Sequence, residues 1–101
     1  MEREITYRIR PGYALRQFLD EYLAIPVGPA EKRDVGVAVL NPMGHYLWDK
    51  LQTAQTREDL LTAILDEFDV DRETAMRDLD EFLNQLKIHE FLEEKEEEEL
   101  L

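Results

Sequence analysis

The side chains in this sequence that could do chemistry are histidines and carboxylates, and their spacing assembles no reactive set. His45 falls on the first expected helix and His89 just past the third, and neither has a second histidine at i+3 or i+4 to complete a metal-binding pair. The many carboxylates fall on helix surfaces, whereas general acid–base chemistry needs a pair isolated in a pocket. The chain has no cysteine, which excludes a thiol nucleophile, a thiolate metal site and a disulfide framework. There is no glycine loop of the kind that cradles phosphate. The residues therefore predict no enzyme, no metal and no cofactor. Groups suited to binding are easier to find. In Val35, Gly36, Val37, Ala38 and Val39, small residues alternate with β-branched ones, so one face of a strand there is nearly bare. Such a face admits either the side chains of another chain or a closely packed helix.

These groups must be positioned by a sheet followed by helices. Tyr13–Phe18, Tyr22–Val27 and Val35–Leu40 read as strands. The short polar gap Leu19, Asp20, Glu21 suits a hairpin, and the gap over residues 28–34 suits a longer exposed loop. A meander in sequence order leaves the third strand at an edge. Residues 5–10 alternate before Pro11 and Gly12 and read as an extra strand or a loose arm. After Leu40 the period changes to about 3.6. Asn41 and Pro42 are a helix start, and Met43, Tyr46, Leu47, Trp48 and Leu51 mark its apolar face. Thr56 to Asp59 resembles a capping box ahead of the stripe Leu60, Leu61, Ile64, Leu65 and Phe68. Asp71 caps a longer third helix with Ala75, Met76, Leu79, Phe82, Leu83 and Leu86 on one side, ending near Leu86–Ile88. Phe91 and Leu92 are placed to fold back onto the core. Trp48 and Tyr46 read as packing residues.

At 101 residues the chain holds one domain with a modest core. Its 44% hydrophobic content argues against wholesale disorder. The net charge of −12 is uneven. Residues 1–50 carry seven acidic and seven basic side chains, and residues 51–101 seventeen and five. A helical half this acidic repels phosphate, so neither nucleic acid nor an anionic membrane is expected as a partner. No apolar run approaches the roughly 20 residues that span a bilayer, and the start lacks the apolar stretch of a secretory signal. A cytoplasmic protein is the expectation. The acidic end, residues 93–101, reads as a frayed, solvated extension of the last helix.

Taken in order, Gly12-Tyr13, Val39-Leu40-Asn41-Pro42-Met43-Gly44, Leu47-Trp48, Thr56-Arg57-Glu58-Asp59-Leu60 and Phe68-Asp69-Val70-Asp71 resemble the PqqD family, the pyrroloquinoline quinone synthesis D proteins and related precursor-peptide recognition domains. The resemblance covers residues 12–92. Residues 1–11 have no clear counterpart and stand as an arm or extra strand, and residues 93–101 form a longer acidic tail than the motif requires. The resemblance implies an α+β fold, a three-stranded antiparallel sheet packed on three helices, related to the winged helix-turn-helix. It implies a peptide-binding carrier that holds the leader segment of a ribosomally made precursor peptide by strand addition. The leader would then be presented to a modifying enzyme, often a radical SAM enzyme. The docking edge would be Val35, Gly36, Val37, Ala38 and Val39, with a groove bounded by the third helix, for which Arg72, Met76 and Leu79 are the candidates. Arg72 and Arg77 are either locally ion-paired or readers of an acidic leader, and Met76 sits at the margin of the buried stripe. An open edge is compatible with a monomer or a weak homodimer. Two other classes share the topology: a winged-helix DNA binder, which would need basic residues exposed on its recognition helix, and a helical protein–protein adaptor, which would need a spare apolar stripe.

Overall fold

Three polar side chains, Asn41, Thr56 and Asp71, start the three helices of this protein, whose computed structural model describes residues 3–28 and 38–98. Asn41 accepts from the Gly44 amide at 2.7 Å and Pro42 occupies the first turn of α1, Pro42–Lys50. Thr56 and Asp59 form a reciprocal capping box at the head of α2, Arg57–Glu67. Asp71 accepts from the Thr74 amide at 2.7 Å and opens α3, Arg72–Ile88. The expected caps and the expected end of α3 are all present. The chain then turns back through Glu90, held at φ 62°, while the amides of Glu90 and Phe91 bond to the carbonyls of Lys87 and Leu86. This is a Schellman closure with glutamate where glycine is usual. It buries Phe91 and Leu92, as their apolar character predicts.

Two three-stranded antiparallel sheets accompany the helices, making an α+β fold. The expected meander is one of them: β2, Tyr13–Phe18, pairs with β3, Glu21–Pro26, and β3 with β4, Ala38–Leu40. The β2–β3 turn is two residues long, and Leu19 takes φ 57° in it, a left-handed conformation that costs a non-glycine residue energy. Val35, Gly36 and Val37 lie outside the described residues.

The second sheet was not expected. β1, Arg3–Ile9, is its centre, flanked by the two-residue β5, Gln55–Thr56, and by β6, Leu92–Glu98. Residues 92–98 are therefore a strand and not a frayed helix, and residues 3–9 are a strand and not a loose arm. Seven residue pairs join β1 to β6, and the register sets Arg8 opposite Glu93. That opposite-charge pair offsets part of the repulsion within the acidic run, and the ladder pairs one edge of its backbone. The amides of Ile9 and Arg10 bond to the carbonyls of Leu51 and Phe91, both at 2.9 Å, and tie β1 to the helices.

Leu47, Trp48, Leu51, Leu60, Leu61, Ile64, Ala75, Leu79, Leu83 and Leu86 from the helices meet Ile9, Ala24, Leu40, Phe91 and Leu92 in one core. Trp48 makes edge contacts with Tyr13 and Phe91, and Tyr46 with Phe68. Both are packing residues, as expected. Arg57 and Asp80 form a bidentate pair, at 2.7 and 2.9 Å, that bolts α2 to α3 on the surface.

Candidate functional site

Backbone geometry sets which groups of β4 are available. In a two-residue hairpin the closing pair exchanges both its N–H and C=O bonds, so Phe18 and Glu21 are a hydrogen-bonded pair. Alternation then turns Glu21, Leu23 and Ile25 towards β2. The Val27 amide, which donates to the Gly12 carbonyl at 2.8 Å, continues the same parity. Tyr22 and Ala24 consequently face β4, where they oppose Leu40 and Ala38. Those two residues use their N–H and C=O on β3, and Val39, opposite Leu23, turns its own pair to the open edge. Its side chain, 62% exposed, stands on the outer face of the sheet.

Beside this edge runs a groove of about 930 Å³ between β4, the start of α1 and the second half of α3. Its floor is apolar, with Tyr22, Leu40, Met43, Leu47, Phe82, Leu86 and Phe91 among the lining residues. Its polar lining is Asp20 and Glu21 at the hairpin end, Asn41, and Asp78, Glu81, Gln85 and His89 along α3 and its cap. Gly44 has a packing reason to be glycine: an added Cβ would lie 3.2 Å from the Phe82 ring and 3.1 Å from the Asn41 Oδ1. Its absence lets Phe82 lie across α1 as part of the floor. Tyr22 is held in place by a stacked His45, with ring centroids 3.9 Å apart.

The candidates read from the sequence divide. Ala38 and Val39 line the groove; Val35, Gly36 and Val37 fall outside the described residues. Leu79 is fully buried in the core and offers no surface to a docked chain. Met76 packs half-buried against the core, and the Arg72 Nη2 is 3.6 Å from a Glu58 oxygen at the far end of α3. Neither lines the groove. The helix wall consists instead of Asp78, Glu81, Phe82, Gln85 and Leu86. The helical period could have found most of these, because they flank the buried stripe Ala75, Leu79, Leu83 and Leu86. What it could not say is which flank faces β4. His89 is at the groove although it has no metal-pair partner in sequence, and His45 serves packing.

The titratable groups that the fold shifts most clearly are structural. Asp80 is held below the usual carboxylate range by the hydrogen bond and charge of Arg57, whose own pKa rises through that bond. Asp71 is lowered by the hydroxyl and amide of Thr74. The Tyr7 phenol is raised by burial and by the neighbouring Glu94 charge. None of these lines the groove. Among the described residues no group of three or more histidine, aspartate or glutamate side chains is placed to hold a metal. No described helix is long and apolar enough to cross a membrane.

Known structures share this fold. TbiB1, solved in complex with the TbiA(beta) leader peptide, is 28% identical to this chain. It superposes with a TM-score of 0.67, over 85% of this chain and 94% of TbiB1. A lasso peptide synthetase B1, solved with its leader peptide, has a TM-score of 0.66 over 86% of this chain and 96% of its own; at 18% identity the likeness is one of fold. A comparison with curated proteins finds no match. The family model described as coenzyme PQQ synthesis protein D matches residues 29–100, most of the chain, β4 and all three helices included, and this protein belongs to that PqqD family.

Proposed function

We propose that this protein is a non-catalytic carrier that holds the leader segment of a ribosomally made precursor peptide and presents it to a modifying enzyme. The observation that carries the reading is the open edge of β4 beside an apolar groove. Unpaired N–H and C=O groups on a strand edge recruit a further strand, and pockets beside the edge sort its side chains. Leader peptides bound to TbiB1 and to the lasso synthetase B1 support the same assignment. The docking residues proposed are Val35 to Val39, of which Ala38 and Val39 lie on β4, and a helix wall of Phe82, Gln85 and Leu86. Arg72, Met76 and Leu79 drop out of direct contact because they are remote from the groove or buried. The enzyme served is taken to be of the radical SAM class, as for other members of the family.

The Val39 N–H and C=O offer two ladder bonds at ~1 kcal/mol each, which two or three apolar anchors at ~1.5–3 kcal/mol each reinforce against ~2–5 kcal/mol of peptide ordering. The surplus reaches at most about 9 kcal/mol, in the micromolar range, which suits capture followed by release. The winged-helix alternative gains no support from α3, whose exposed residues include the carboxylates Glu73, Asp80 and Glu81. The direct experiment is amide hydrogen exchange with and without a leader peptide encoded beside the protein's gene. Protection concentrated at Val39 and its neighbours is expected; binding that leaves the β4 edge exchanging at its free rate would refute strand addition there.

A further inference from the structure

We infer that the segment held in this groove is cationic, with lysine or arginine side chains set between its apolar anchors. The inference rests on the docking reading above and adds the chemistry of the occupant. The groove carries carboxylates on opposite sides of its apolar floor: Asp20 and Glu21 at the hairpin end, Asp78 and Glu81 on α3. Lysine and arginine are absent from its described lining. The three α3 cations, Arg72, Arg77 and Lys87, are all absent from that lining. Lys87 reaches away to Glu94 at 3.5 Å, and Arg72 sits beside Glu58 at 3.6 Å. Asp78 and Glu81 are three residues apart, about 4.5 Å along the axis, against about 6.6 Å between successive same-face side chains on a strand, a difference that flexible lysine and arginine side chains can span. A strand laid along the floor thus presents alternate side chains within reach of this row. An acidic strand in the same place would meet four like charges in a protein whose net charge is already −12. Of the two sequence-based readings of Arg72 and Arg77, local ion pairing or recognition of an acidic leader, this sets aside the second, and Arg72 does lie beside Glu58.

The test uses the full chain and three short labelled peptides that share one pattern of Tyr, Leu and Val anchors. The residues between the anchors are Lys, Gln or Glu, and binding is followed by fluorescence anisotropy. Each exposed charge pair is expected to change affinity about threefold, so two pairs give roughly tenfold steps in the order Lys, Gln, Glu at low salt. The steps should shrink at about 1 M salt, where screening acts within 3 Å. The double variant Asp78→Asn/Glu81→Gln should shrink the ratio of Lys-peptide to Gln-peptide affinity, leaving only the part due to Asp20 and Glu21. Asp66→Asn/Glu67→Gln, on α2 away from the groove, should keep the full ratio. If the Gln peptide binds and the Lys peptide gains nothing, or if both double variants weaken the preference equally, the charge inference is overturned while docking survives. If none of the three peptides binds, the docking reading fails and takes this inference with it.

Discussion

Proline substitution at two adjacent positions of β4 separates folding from docking. Ala38 gives its N–H to β3, opposite an Ala24 that is fully buried, whereas the Val39 N–H points to the open edge. Ala38→Pro removes a ladder bond and leaves the Ala24 carbonyl without its donor inside the sheet. Together with the steric cost of proline inside a sheet, that amounts to about 3 kcal/mol or more. Val39→Pro loses no internal bond, and proline restricts the preceding residue to the extended conformation it already has. Its folding cost should stay below about 1 kcal/mol. A docked strand, however, loses one donor and leaves its own carbonyl unpaired, which costs ~1–3 kcal/mol, a roughly five- to hundredfold weaker complex. Val39→Ala is the control for the exposed side chain and should change little. Urea unfolding measures the first quantity and fluorescence anisotropy with leader peptide the second. If Val39→Pro unfolds the domain as Ala38→Pro does, the assigned parity is wrong. If it stays folded and binds with unchanged affinity, β4 is not the docking edge.

Deleting residues 93–101 removes six of the seven residue pairs of β6 with β1, about six ladder bonds, and should lower stability by ~3–6 kcal/mol in urea unfolding, at ~0.5–1 kcal/mol per lost bond; a loss under ~0.5 kcal/mol would mean the strand contributes nothing. Leu79→Ala should cost ~2–5 kcal/mol of stability yet leave the affinity of the folded fraction intact, while Phe82→Ala should weaken leader binding at least as much as it weakens folding, both read by the same pair of assays. Glu90→Gly relieves a left-handed φ of 62° and should raise stability by ~0.5–1 kcal/mol, visible as a higher urea midpoint. Asp80 and Asp71 both have folded pKa values below the usual carboxylate range, so their contribution is complete above that range and is lost as pH falls through the folded values. Unfolding midpoints should accordingly drop in acid, and Asp80→Asn should remove part of that slope. The exposed position of the Arg57–Asp80 pair limits its effect to under ~1 kcal/mol.

The helices and the β2–β3–β4 meander were legible because their signals are local. Asn41 with Pro42, Thr56 with Asp59, and Asp71 each announce a helix within four residues, and the apolar stripes repeat within one turn. The β1–β6 pairing was not legible for the converse reason. Glutamate has low strand propensity, so Glu93 to Glu98 looks like solvated coil until β1 and its Arg8 are brought across from the other end of the chain. Likewise the usual sign of a Schellman turn is glycine, and Glu90 concealed it. For the site, the strand edge could be read but its parity could not, because parity is set by the two-residue turn at Leu19 and Asp20. The expected helix wall of Arg72, Met76 and Leu79 lies in the N-terminal half of α3 and does not line the groove. The stripe Met76, Leu79 and Phe82 is continuous in sequence, and only the approach of α1 at Gly44 selects Phe82 as the member that meets the groove.

An open strand edge that must accept one partner is also exposed to pairing with a copy of itself. Here the carboxylates that border the groove act on both outcomes. Two β4 edges brought together would set Asp20, Glu21, Asp78 and Glu81 of one copy near the same residues of the other, within the ~10 Å over which charges act at 0.1 M salt. A peptide bearing lysine or arginine meets the opposite field. Backbone hydrogen bonding treats a second copy and a leader strand alike, so discrimination between them has to come from side chains. In this groove the discriminating side chains carry one sign of charge, which disfavours the homodimer and favours a cationic leader with the same few residues.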